Sequence, residues 1–142
     1  YDTVVNSTPE GVIELFHGYT YSGIPAAVAA ALAVQDIFEK ENIFNRVKEI
    51  IPYFQEALHS LKDLECVENI RGYGLLGGVD IRKKDKPGKA GFQVYKACYE
   101  NGVNFKATGD ALVLAPPFIS EKKHIDEMFD KIRKGINQYM KY

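Results

Sequence analysis

FHGYTYSGIPAAVAAALAV, residues 16–34, changes character at its middle. The first half holds two glycines, two tyrosines, a histidine, a threonine and a serine. The second half is almost all alanine, valine and leucine. Pro25 stands where the change occurs and suits the first turn of a helix, where a missing N–H costs nothing. Alanine and leucine are good helix formers, so a helix is predicted from Pro25 to about Lys40, with close packing on two faces. Just before it, Thr20 and Ser22 offer hydroxyls and the glycines offer backbone freedom. Free N–H groups at a helix N-terminus favour an anion. The segment therefore reads either as a phosphate-binding loop or as a plain cap, with Ser22 closing the helix and Tyr19 and Tyr21 packed in a core.

On the N-terminal side, Asn6, Ser7, Thr8, Pro9 and Gly11 cluster as turn formers, and residues 1–15 read as irregular. On the C-terminal side, Asn42 reads as the N-cap of a second helix. That helix carries Ile43, Val47, Ile50, Ile51, Phe54, Leu58 and Leu61 at helical spacing, and Pro52 is expected to kink or split it. One or two strands are predicted over residues 67–82, where Gly72, Gly74, Gly77 and Gly78 permit close backbone approach. RKKDKPGKA reads as a solvated turn. GFQVYKACYENG reads as a short helix closed by Gly102. Strands at Val103–Lys106 and Ala111–Leu114, joined through Gly109-Asp110, predict an antiparallel hairpin. From Ser120, read as an N-cap, Ile125, Met128, Phe129, Ile132, Ile136 and Met140 form the apolar stripe of a final helix. The fold class is α/β (α+β for this chain by itself): a small mixed or antiparallel sheet with helices on one face.

Composition narrows the function. The 142 residues carry a net charge of −1 with acids and bases intermixed, so no basic block suggests nucleic acid. No apolar run approaches the roughly 20 residues that span a bilayer. Cys66 and Cys98 stand far apart and read as ordinary thiols of a reducing cytosol, so a cytoplasmic protein is expected. His17, His59 and His124 share no helix face and are joined by no Cys or carboxylate cluster, so no metal site is predicted. His59 and His124 read as surface residues. The glycines at 72–78 do not have dinucleotide-loop spacing and lead into a strand rather than a helix.

Three stretches carry a resemblance. ELFHGYTYSGIPAAVAAALA resembles the E-x-x-H-G-[FY]-T-[YF]-S-G-H-P segment of class III aminotransferases, which are fold type I enzymes using pyridoxal 5'-phosphate. IRGYGLLGGVDI resembles that family's R-G-x-G-L-h-x-G-h-E-h strand pair, where h is apolar. NFKATGDALVLAPPFISEKKHIDEMFDKI resembles its R-x-x-G-D-x-h-h-h-x-P-P segment and the helix that follows. The resemblance covers nearly the whole chain in order and points to the ω-amino acid:pyruvate group.

The resemblance implies the following. Thr20 donates its hydroxyl to the cofactor phosphate of the neighbouring subunit in a homodimer, helped by the backbone N–H of Tyr19. Lys106 stands where relatives use an arginine to grip a substrate carboxylate; it keeps the charge but not the two-pronged geometry. Ile24 replaces the usual histidine before the proline. Residues 1–40 are expected to end a large cofactor-binding domain, and 41–142 to form the C-terminal small domain. The Schiff-base lysine is expected upstream of Tyr1, so the chain alone is expected to be inactive, with no catalytic residue of its own. The whole enzyme would move an amino group from an amine or amino acid to a keto acid such as pyruvate. Composition and pattern alone also permit a non-catalytic α+β binding or interaction module.

Overall fold

A computed structural model describes residues 2–11, 18–82 and 86–141. The chain divides into two compact units, Tyr1–Asp36 and Ile37–Tyr142.

In the first unit, residues expected to be irregular form a short helix, α1 (Asp2–Ser7). The hydroxyls of Ser7 and Thr8 both donate to the Val4 carbonyl, at 3.0 and 2.8 Å. These turn formers therefore end a helical turn rather than prevent one. Residues 12–15 of the same expected segment lie outside the described residues. Helix α2 (Pro25–Lys40) begins at the proline, as expected. Within the described residues none of its side chains is fully buried: Val28 is 49% and Leu32 65% exposed, while Phe38 packs against the core.

The second unit holds the core. Asn42 does not cap helix α3 (Ile43–Ser60) with its side chain. It adopts a left-handed conformation (φ 51°) between α2 and α3, and its Oδ1 accepts from the Asn45 amide at 2.7 Å. Asparagine tolerates that region better than most residues. Helix α3 also runs unbroken through Pro52. Lys48, whose carbonyl loses its N–H partner there, is exposed like Pro52 itself, so water can satisfy it. A 3₁₀ turn (Leu61–Asp63) leads to β1 (Val67–Tyr73) and β2 (Leu76–Ile81), a tight hairpin with Gly74 at φ 58°. Then follow α4 (Lys89–Glu100), β3 (Lys106–Thr108), β4 (Ala111–Leu114) and α5 (Lys122–Met140). The strand order is β1-β2-β4-β3, and every pairing is antiparallel.

Register sorts the sheet's side chains. Val79 pairs with Leu112, and Ile81 and Leu114 point the same way; all four are almost completely buried beneath the helices. The opposite face carries Arg71, Gly78, Val113 and Lys106 as one row of cross-strand partners. The helices contribute Phe54, Leu58, Val94, Ile125, Ile132 and Ile136 to the core. The apolar stripe of α5 is buried at Ile125, Phe129, Ile132 and Ile136, with Met128 and Met140 packed at its margin.

The glycines of β1 and β2 have a packing role. Gly72 and Gly77 are partners across the hairpin, and a Cβ at either would stand 2.8 Å from a Leu58 methyl. Helix α3 rests directly on this pair, and the amide of its Gln55 donates to the Gly74 carbonyl at 2.7 Å.

Strand β3 starts later than the sequence suggested. Gly102 and Val103 are still occupied in closing α4: the Gly102 N–H bonds the Tyr99 carbonyl (2.9 Å) and Val103 N–H bonds Cys98 O (3.1 Å). Gly102 has the positive φ (83°) expected of a glycine at that position. The N-cap of helix α5 lies one residue after the expected one. Glu121 is its N-cap, and Ser120 is buried behind it.

Candidate functional site

Tyr19, Thr20, Tyr21 and Ser22 form a turn closed by a hydrogen bond from Ser22 N–H to the Tyr19 carbonyl at 2.9 Å. Tyr19 and Tyr21 are not core residues; they are 73% and 84% exposed. Ser22 spends its backbone, not its hydroxyl, on the turn. Thr20 is exposed, and its hydroxyl has no hydrogen-bond partner among the described residues. Gly23 follows at φ 73°, a conformation that β-branched or bulky residues resist, and α2 starts two residues later. A presented hydroxyl on a tight turn just before a helix is a donor set that fits a phosphate.

Lys106 opens β3, at the edge of the sheet. It is exposed and forms no ion pair among the described residues. It lines a cavity of about 470 Å³ that lies between the start of β3, the segment after β4 and the first two turns of α5. Phe105 and Met128 give this cavity apolar walls, and the polar residues Asn104, Ser120 and His124 also line it. His124, read from the sequence as a mere surface residue, has a defined task. Its Nδ1 accepts the Glu121 N–H at 3.1 Å, closing the start of α5 as a capping box does. The spacing of Glu121 and His124 signalled this, with histidine in the place usually held by Glu or Gln.

The hairpin that carries Lys106 is fixed by Asp110. Its Oδ2 accepts the Gly88 N–H at 2.8 Å; its Oδ1 accepts those of Ala90 and Gly91 at 3.1 and 3.3 Å. A carboxylate between two strands thereby satisfies the first turn of α4, whose own N-cap position is the glycine Gly88. In the sequence, Gly109-Asp110 reads only as a turn.

The cysteines are not reactive groups. Both are buried, and burial pushes the Cys98 thiol up to about 12, far from a nucleophile's range. Among the described residues no group of His, Cys, Asp and Glu could hold a metal ion. No helix among them is long and apolar enough to cross a membrane.

The class-III aminotransferase family model matches residues 2–136. The chain belongs to that family. The class-III aminotransferases similar to it include the omega-aminotransferase of Caulobacter vibrioides, 37% identical over 97% of this chain and 31% of that protein. They also include the omega-amino acid–pyruvate aminotransferase of Pseudomonas putida, 37% identical over 99% of this chain and 32% of that protein. Among solved structures, a transaminase with L-alanine superposes with a TM-score of 0.79 at 29% identity, covering 89% of this chain and 32% of the other. The adenosylmethionine-8-amino-7-oxononanoate aminotransferase of Methanocaldococcus jannaschii superposes at 0.76 with 34% identity, over 87% and 30%. The chain thus spans about a third of the length of the class-III aminotransferases it matches.

Proposed function

We propose that this chain is the C-terminal third of a pyridoxal-phosphate-dependent aminotransferase that passes an amino group from an amine or amino acid to a keto acid such as pyruvate. Family membership over residues 2–136 carries the reading; the names of the similar proteins, ω-amino acid and pyruvate among them, support the finer substrate class.

Pyridoxal phosphate, when bound, supplies the electron sink that amino transfer needs. The residues of this chain hold and orient. Thr20 offers its hydroxyl to the cofactor phosphate, with the Tyr19 backbone N–H beside it, and does so for the site of the neighbouring subunit in a homodimer. Such a contact is a charge-assisted hydrogen bond, stronger than a neutral one. Lys106 offers a positive charge to a substrate carboxylate. The lysine that forms the Schiff base is expected upstream of residue 1, so the 142-residue chain alone is expected to transfer no amino group.

The test is an assay of the full-length protein, loaded with pyridoxal phosphate, for alanine formed from pyruvate and an ω-amino acid. Alanine in proportion to enzyme is the expected result. No alanine with any of a panel of amines and amino acids overturns the reading.

A further inference from the structure

The cavity beside Lys106 collects hydrogen-bond donors. His124 receives the Glu121 N–H on Nδ1, so the neutral ring carries its proton on Nε2, which has no partner among the described residues. Asn104 receives the Tyr95 hydroxyl on Oδ1 at 3.2 Å, which leaves its NH₂ group to donate. The Ser120 hydroxyl, on a residue only 9% exposed, has no partner among the described residues. Lys106 adds an ammonium with no ion pair among the described residues. No acidic residue among the described residues lines the cavity, and the two carboxylates whose charge reaches His124, Glu121 and Glu127, are paired with Lys123 at 3.0 Å and with Lys131 at 2.5 Å. A cluster of donors with no acceptor of opposite charge, set between Phe105 and Met128, suits an anion attached to an apolar chain.

We propose that His124 is a specificity-determining residue: its Nε2–H, with the Ser120 hydroxyl and the Asn104 amide, gives directional hydrogen bonds to a substrate carboxylate whose charge Lys106 balances. A lysine supplies charge without a fixed fork, and the capped imidazole supplies the fixed direction. The backbone bond to Nδ1 holds the ring, so the donor is preorganised. This inference rests on the amino-transfer reading for the identity of the carboxylate, and its test separates the two.

Two variants of the full-length holoenzyme keep α5 closed while changing the donor. His124→Gln preserves an acceptor for the Glu121 N–H and an amide donor for the cavity. His124→Glu preserves the acceptor but puts a negative charge where the donor stood. The acceptors compared are pyruvate and butanal, which has no carboxylate. His124→Glu is expected to lower the pyruvate-to-butanal ratio of kcat/KM by about tenfold or more, the scale of opposing like charges. His124→Gln is expected to stay within about threefold of wild type. Equilibrium dialysis of labelled pyruvate against the same proteins provides a reading independent of turnover, with the same order expected. If wild type binds pyruvate in a His124-dependent manner yet transfers no amino group, the inference stands and the amino-transfer reading falls. If wild type is active and His124→Glu leaves both the ratio and the binding unchanged, the inference falls and the amino-transfer reading stands. If wild type binds no pyruvate at all, the inference is overturned.

Discussion

Leu58 of α3 lies directly on Gly77 of β2: a Cβ at that glycine would stand 2.8 and 2.9 Å from the two Leu58 methyl carbons. Both residues are buried, Leu58 completely. Gly77→Ala is therefore expected to destabilise the protein by about 1–3 kcal/mol through overpacking. Leu58→Ala should cost about 2–5 kcal/mol through the cavity it leaves. In the Leu58→Ala background the added methyl has room, so the double variant should be more stable than the sum of the singles implies. Urea unfolding of the four proteins measures this, and strict additivity would show that the contact is not tight.

Asp110 caps α4 from outside the helix. Asp110→Ala strips acceptors from Gly88, Ala90 and Gly91 and should cost about 1–2 kcal/mol, the usual range for a lost cap. Asp110→Asn, which retains one acceptor oxygen, should lose less. Amide hydrogen exchange adds a local reading: protection should fall first at the start of α4. Uniform loss along the helix would argue against a cap.

Arg71 lies across Gly78 to reach Asp80, with Nη1 2.5 Å from the carboxylate. The guanidinium holds the Asp80 carboxyl below its usual range, with some opposition from burial. An Asp lowered in the folded state stabilises fully above its unfolded value of about 3.9, and that stabilisation disappears as pH falls through the lower folded value. Asp80→Asn should thus unfold more easily than wild type near neutrality, and the gap should close in acid below about pH 4. The gap will be small, because Arg71 is more than half exposed to solvent. A gap that widens in acid would mean that another group dominates.

Thr20→Ala removes the hydroxyl from the turn at 19–22. The backbone bond that closes this turn belongs to Tyr19 and Ser22, so the turn should persist. In the full-length protein, one lost hydrogen bond to a phosphate is worth roughly 1.5–3 kcal/mol. Pyridoxal phosphate should then dissociate on the order of ten- to a hundredfold more readily. An unchanged dissociation constant, read by cofactor absorbance after dialysis, would remove Thr20 from the phosphate site.

Lys106→Arg should raise kcat/KM for pyruvate by about fivefold, the equivalent of about 1 kcal/mol for a second parallel hydrogen bond. A simple aryl-alkyl amine should gain much less. Equal gains for both, or none for pyruvate, would leave Lys106 as a solvated lysine at the sheet edge.

The sequence alone determined the order of the principal helices and strands, because that order follows from local periods and breakers. Pro25 at the start of α2, Gly102 at the end of α4, and the stripe from Ile125 to Ile136 each act within a few residues of chain. The family was equally legible, since its motifs are local strings. Tertiary structure decided what those local signals leave open. Gly72 and Gly77 read in sequence as a place for close backbone approach, but only the packed structure shows that Leu58, on a preceding helix, is what lies on them. Asp110 looks like a turn residue until the N–H groups of α4 are found on its carboxylate. His124 looks like one more polar residue on α5 until it is found lining the same cavity as Lys106. Each of these roles depends on atoms far apart in the chain that meet only once the sheet and helices pack, and no short-range pattern encodes that meeting.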